Sequence, residues 1–435
     1  MSPITPHSEL RVLFGCLLFC SASGCASWPK RWGARPCCIE TRPVVTRQPI
    51  GWHLFDVTVL EPLEQPLHLI RPLRKLFGAP VRALNVQDGE VADSAFFTNR
   101  DPAQLSPDEV RAGPTRPDDI SRPPFAITKP KTEGKTPGFF VTDARGVRYL
   151  LKLDPTAAPE LLSGSEVVAS KLLYALGYHV PSYEVAYVRP EDLRIRPDVT
   201  VKDAEGRPQL FQQKALDALL EGRVREGAVR VAASKIVDGE ILGPARFKRF
   251  RDCAEIRALN VAYAWLNNVD AKDHNSLLAW DGTRTVGYLI DFGTSLGADA
   301  GLGGPKTPCE GWRNLVDLKE ASLELLTLGL HRSACDTQGH PVSSSVGLFS
   351  PRVDPDRWKP YAPNLAFQEM NEDDARWISR RLARLSRAQI DAAVSAGRYS
   401  RASDAAYLAD VLDQRRTAIV RHYLDEEEPQ GMAAR

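Results

Sequence analysis

Two kinds of apolar spacing divide the chain near Pro244. Beyond it, Ile256, Leu259, Ala262, Tyr263 and Leu266 recur at steps of three and four, the stripe that one buried helix face requires, and predict a helix over 254–266. Stretches 315–330, 373–385, 387–396 and 403–423 carry the same period. Before Pro244 the apolar residues come in short β-rich runs. Residues 139–142 and 147–152 flank Asp143-Ala144-Arg145-Gly146 and predict a hairpin. Ser163-Gly164-Ser165-Glu166 has the S-x-x-E form of a capping box; Val167, Val168, Leu172, Leu173 and Leu176 follow at helical spacing, and Gly177 supplies a stop. Strands are expected at 183–188 and 229–237, with an insertion over 192–226 that holds one helix. One hairpin interrupts the helical half: 276–280, the turn Asp281-Gly282, then 286–292. The expected fold class is α+β, with a small β-rich lobe over 136–244 and a larger helical lobe over 245–430.

Ahead of residue 136 the pattern is less regular. Residues 54–59, Leu-Phe-Asp-Val-Thr-Val, predict a strand. Prolines at 102, 107, 114, 117, 123, 124 and 130 favour extended backbone and predict an arm. The stretch 27–49, rich in Trp, Arg, Pro and Cys without a period, predicts a tether, so 26–135 is expected to be tether and arm. In the first 25 residues, Arg11 precedes an apolar run over 12–19 and then the small residues of 21–25. These are the parts of a secretory signal, and the run is too short to span a bilayer. Ala22-Ser23-Gly24-Cys25 resembles a bacterial lipobox, with Ala22 where that motif usually has Leu. The expectation is export, with a lipid on Cys25 holding the protein to a membrane. A start codon chosen too far upstream would instead leave a cytoplasmic protein.

With 435 residues the chain has room for two or three lobes. Its 56 basic and 55 acidic residues nearly cancel, and no basic run stands out, which argues against nucleic acid as a partner. Outside the leader the cysteines are Cys37, Cys38, Cys253, Cys309 and Cys335. An odd scatter without a Cys-x-x-Cys pair predicts neither a disulfide framework nor a zinc site.

The candidate chemistry lies in 267–278 and 288–293. Lys272 stands two positions after Asp270, and Asn275 five; the hairpin follows, and its second strand ends in Asp291-Phe292-Gly293. In this order and spacing the sequence resembles the protein-kinase-like superfamily over about residues 136–330. The resemblance implies a bilobal kinase fold that uses ATP and Mg2+. Phosphoryl transfer needs in-line positioning and neutralised phosphate charge more than covalent help, and Mg2+ prefers oxygen ligands. By the resemblance, Asp291 and Asn275 hold Mg2+, Asp270 accepts a hydrogen bond from the incoming hydroxyl, and Lys272 sits near the transferred group. Lys152 would hold the α- and β-phosphates with Glu166 as its partner. Glu166 therefore has two readings, capping acid or lysine partner. His274 reads as a loop residue.

The match has gaps. Asn268-Val269 stand where His-Arg would precede Asp270, no Ala-Pro-Glu follows Gly293, and no Gly-x-Gly-x-x-Gly loop is present, which leaves Asp143-Ala144-Arg145-Gly146 to cover the phosphates. These departures resemble the atypical branch: HipA-like kinases, phosphoinositide-kinase relatives and secretory-pathway kinases. Two functions follow. One is ATP- and Mg2+-dependent transfer to a protein hydroxyl or a small molecule, with nucleotidyl transfer a further use of the same fold. The other is a non-catalytic kinase-like binding module on a membrane-anchored lipoprotein.

Overall fold

The computed structural model describes residues 35–60, 81–131, 136–202, 206–328 and 339–425, with Leu73, Phe77, Leu330 and Cys335 among the gaps. The signal segment and Cys25 lie outside the described residues.

The first labelled element, α1 (Ile50–Phe55), belongs to the arm and runs on into a π-helical turn, Asp56–Leu60. This corrects the strand expected over 54–59. His53, Asp56 and Val57 are the buried positions, and steps of three and four are a helical face.

The small lobe's sheet has seven strands; beside the short Val224–Arg225 and Leu193–Ile195, the latter parallel to its neighbour, its five longer ones are β1 (Phe125–Pro130), β2 (Gly138–Thr142), β3 (Arg148–Leu153), β4 (Tyr183–Val188) and β5 (Ala228–Lys235). Their spatial order is β4-β5-β3-β2-β1, every pair antiparallel. The sheet therefore starts inside the proline-rich arm, ahead of the boundary expected at 136. Pro130 is tolerated because it closes β1, where a missing N–H costs least. The arm also holds a short helix, Pro107–Ala112, with Pro107 in its first turn and Ser106 and Glu109 as a capping box.

Side chains alternate faces along β3. Tyr149, Leu151 and Leu153 join Phe125, Ile127, Phe139, Val141 and Val231 in a core on one side, closed by Leu216 and Leu220 from the insertion's helix, Gln213–Leu220. Lys152 is thereby left on the other face. There lies α2 (Leu161–Ala175), 15 residues long with 14 of them buried. The expected capping box is not formed. Ser163 is already inside the helix, and the carboxylate of Asp154 caps the first turn, accepting from Leu162 N at 3.1 Å and Ser163 N at 2.8 Å. Glu166 is thus released from capping.

The large lobe contains α3 (Ala254–Leu266), the hairpin β6 (Ser276–Trp280) and β7 (Thr285–Leu289), α4 (Leu318–Leu326), α5 (Glu372–Ala383), α6 (Arg387–Ser395) and α7 (Ala402–Leu424). Ile256, Leu259 and Trp265 of α3 pack with Leu382, Ile390, Leu408 and Leu412, and Val167, Val168, Leu172 and Leu173 of α2 belong to this same core. Fully burying such side chains stabilises by about 1.5–3 kcal/mol each. Asn371 and Ser386 cap α5 and α6 as the sequence rules require.

The cysteine expectation is also corrected. Cys37 is bonded to Cys253 and Cys309 to Cys335, leaving Cys38 free among the described cysteines. Partners separated by 216 and 26 residues leave no local spacing to read.

Candidate active site

The loop after α3 begins where Asn267 takes a left-handed conformation (φ 49°) as the helix C-cap, its Oδ1 accepting from Trp358 Nε1 at 3.0 Å. Val269 is fully buried and turns the chain back, leaving Asp270 and Lys272 part-exposed at the mouth, with Lys272 Nζ donating to Asp270 Oδ2. A 3-10 turn, Asp273–Asn275, then leads into β6. Asp273 Oδ1 accepts from Phe247 N at 2.9 Å, and His274 Nε2 meets Gln48 O at 2.7 Å, so His274 serves the loop and the arm.

Hairpin register does the placing. Ser276 pairs with Leu289, and Ile290 N donates to Asn275 O at 3.0 Å, so Asn275 and Asp291 occupy adjacent strand ends. Asn275 Nδ2 donates to Asp270 O at 2.8 Å, which points its Oδ1 away from that carbonyl. Asp291 has φ 61°, a region that costs a non-glycine residue roughly 1–2 kcal/mol. Its N–H donates to Tyr183 Oη at 3.3 Å, and the Phe292 ring packs 5.7 Å from that of Tyr183. Gly293 is closely packed: an added Cβ would lie 3.0 Å from Ala300 Cβ and 3.1 Å from Glu166 Oε1.

Lys152 joins the lobes. Its Nζ donates to Glu166 Oε1 and, at 2.8 Å, to Asp291 Oδ1. Lys152 and Glu166 are shut away from water, whereas the Asp291 side chain is 38% exposed and opens to the cleft. Burial pulls the Lys152 pKa down, but the two carboxylates win and raise it. Burial also drives Glu166 up, to about 7, against the pull of Lys152; its Oε2 is buried without a hydrogen-bond partner. Asp291 goes the other way. Burial would raise it, but the Lys152 ammonium, helped by Lys272 and Lys131, holds it at about 2. Asp291 is therefore the carboxylate that keeps its charge.

The turn expected to cover the phosphates does not lie beside Lys152. Lys152 pairs with Gly138, and Arg148 with Thr142, so Asp143-Ala144-Arg145-Gly146 lies about 13 Å along β3 from the ammonium. Asp143 is occupied there with Arg145, accepting at 2.6 Å from Nη2. The strand ends that lie beside Lys152 are the start of β2, where Gly138 pairs with it, and the end of β1, where Lys131 N donates to Gly138 O at 2.8 Å. Sequence reading missed this because β1 was hidden among prolines. It also missed Lys131, whose charge acts on Asp291 and Glu166, and Tyr183. The run Lys131-Thr132-Glu133-Gly134-Lys135-Thr136 just before β2 was the available signal.

Taken together, the site offers a charged carboxylate, an amide on the neighbouring strand end, a second carboxylate paired with a lysine on the same loop as that amide, and a buried lysine bonded to the first carboxylate. Hard oxygen donors of this kind suit Mg2+, and the orientation of Asn275 fits it for ligation. The strand order, the helix inserted after β3 and the lysine shared between lobes define an α+β, bilobal, kinase-like fold.

No family model matches the chain, and no curated protein does either. Among solved structures, the chain is similar to a Helicobacter pylori proinflammatory kinase, CtkA, at 12% identity and TM-score 0.34, covering 66% of this chain and 94% of that one. It is similar to hydra Fam20, solved with sugar, at 11% identity and TM-score 0.36, covering 71% and 88%. A Golgi casein kinase overlaps at 9% identity and TM-score 0.25, covering 89% and 95%. At these TM-scores the likeness is loose, and the site stands on its own geometry.

Proposed function

We propose that this chain is an ATP- and Mg2+-dependent kinase of the atypical type, which moves a phosphoryl group to a hydroxyl of a protein or small molecule. The observation that carries the reading is Lys152 bridging Glu166 and Asp291, with Asn275 and Asp270 set on the neighbouring loop. Mg2+ would neutralise charge on the bound phosphates. Asp291 and Asn275 are the residues to hold it. Lys152 supplies a point charge for the α- and β-phosphates, and Glu166 keeps that ammonium aimed. Asp270 accepts the hydrogen bond of the acceptor hydroxyl and orients it, while Lys272 balances negative charge at the transferred group.

Location is part of the proposal. The leader argues for export with a lipid on Cys25, and two disulfides in the folded part support an oxidising compartment.

Thermal melting with ATP, with and without Mg2+, tests the nucleotide site. Stabilisation that requires both, and that Asp291→Asn removes, supports it; no shift in the native chain with any divalent metal contradicts it. Nucleotide binding without turnover would favour the binding-module reading.

A further inference from the structure

We infer that residues 396–400, the turn between α6 and α7, clamp the first turns of α2 and so position Glu166 against Lys152 without a separate activating step. The inference rests on the nucleotide-site reading for its catalytic consequence, but the clamp itself is a matter of packing.

Three contacts converge on the foot of α2. Arg230 of β5 donates from Nε to Ser163 Oγ at 2.8 Å, from Nη1 to Arg398 O at 2.6 Å, and from Nη2 to Gly397 O. One guanidinium thus ties the sheet, the helix and the turn together, and its rigid fork makes that geometry specific. Glu160 Oε2 accepts from Ser400 N at 3.0 Å, just ahead of the helix. The Tyr399 ring lies directly on Gly164, where an added Cβ would come within 2.5 Å of its Cζ and Oη. The contact is reciprocal, for a Cβ on Gly397 would lie 2.9 Å from Val168 Cγ2. Glycine at 164 and at 397 is what lets helix and turn approach this closely.

Glu166 lies two residues beyond Gly164, within the same turn of helix. With 14 of its 15 residues buried, α2 has no free face along which to swing outward. Displacing it would break the Arg230 bonds and expose the side chains it packs against β4, β5 and α6. Arg230 and Tyr399 are therefore positioning residues, acting on Lys152 through α2.

A double-mutant cycle in the full chain tests this, with Gly164→Ala, Tyr399→Ala and both together, plus Arg230→Lys. Hydrogen exchange at 161–175 without nucleotide reads the clamp; Mg2+–ATP affinity and turnover read its consequence. Each single variant is expected to speed exchange in the first half of α2, and to slow turnover, by about tenfold. Exchange in α3 and α7 should stay as in the native chain, which a general loss of stability would not allow. In the Tyr399→Ala background, adding Gly164→Ala should cost little, because the ring it would strike has gone. Unchanged α2 exchange in both single variants, or purely additive effects in the double, would overturn the clamp. If the native chain binds no nucleotide, the exchange result still decides the clamp, and only the nucleotide-site reading falls.

Discussion

Lys152 Nζ lies 2.8 Å from Asp291 Oδ1 while also donating to Glu166, so one ammonium serves two carboxylates at the seam between the lobes. Lys152→Ala removes the shared partner and leaves Glu166 buried without it. Breaking a buried pair in this way is strongly destabilising, about 3 kcal/mol or more. Urea unfolding should show that loss, and calorimetry should show Mg2+–ATP affinity reduced at least about tenfold. Native stability and affinity in this variant would remove Lys152 from the site.

A second prediction concerns acid stability. His179 lies between Thr98 Oγ1, 2.9 Å from its Nε2, and Ala95 O, 3.0 Å from its Nδ1, and burial lowers its pKa from 6.5 to about 4. The unfolded chain therefore takes up the proton first. This contribution is fully present above pH 6.5 and is lost as pH falls toward 4, on the order of 3 kcal/mol at most. Melting temperature should drop over that window, and His179→Gln should flatten the drop. An equal slope in the variant would show that His179 is not the group responsible.

What the sequence made legible was the locally written part. The spacing from Asp270 to Asn275 and the hairpin ending at Asp291 are set by consecutive residues, and the register Ser276 to Leu289 follows from strand lengths and a tight turn. Helical periods likewise placed α3, α5, α6 and α7 within a few residues. What stayed hidden depends on partners far along the chain. Asp154 caps α2 from the end of β3, β1 acquires its meaning only by pairing with β2, and Cys37 meets a cysteine 216 residues away. At His53 and Val57, burial against the large lobe outweighed a strand-like run.

The disulfides give a third prediction. In the chain-entropy view, closing 216 residues is worth about 5 kcal/mol and closing 26 about 3.5 kcal/mol. Protein from an oxidising compartment should carry both bonds by mass spectrometry. Reductant should lower its melting temperature, and Cys37→Ser with Cys253→Ser should reproduce most of that loss. Five alkylatable thiols in the native, unfolded and unreduced mature chain would contradict the pairing.

Location follows from Cys25. If the leader is cleaved ahead of it and the thiol is lipidated, Cys25→Ser should move the protein from the membrane fraction to the soluble one. A native protein that keeps Met1 and fractionates with the cytosol would refute export.

Asp270 separates catalysis from binding most directly. Its carboxylate is proposed to orient the acceptor hydroxyl, a contact that matters in the transition state and little to bound nucleotide. The decisive measurement is transfer from γ-labelled ATP, to the protein itself or to water, in the native chain and in Asp270→Asn at matched Mg2+–ATP occupancy. The account predicts equal occupancy and a transfer rate lower in the variant by about two to four orders of magnitude. Equal rates in the two, or no transfer by the native chain with any divalent metal, would contradict it.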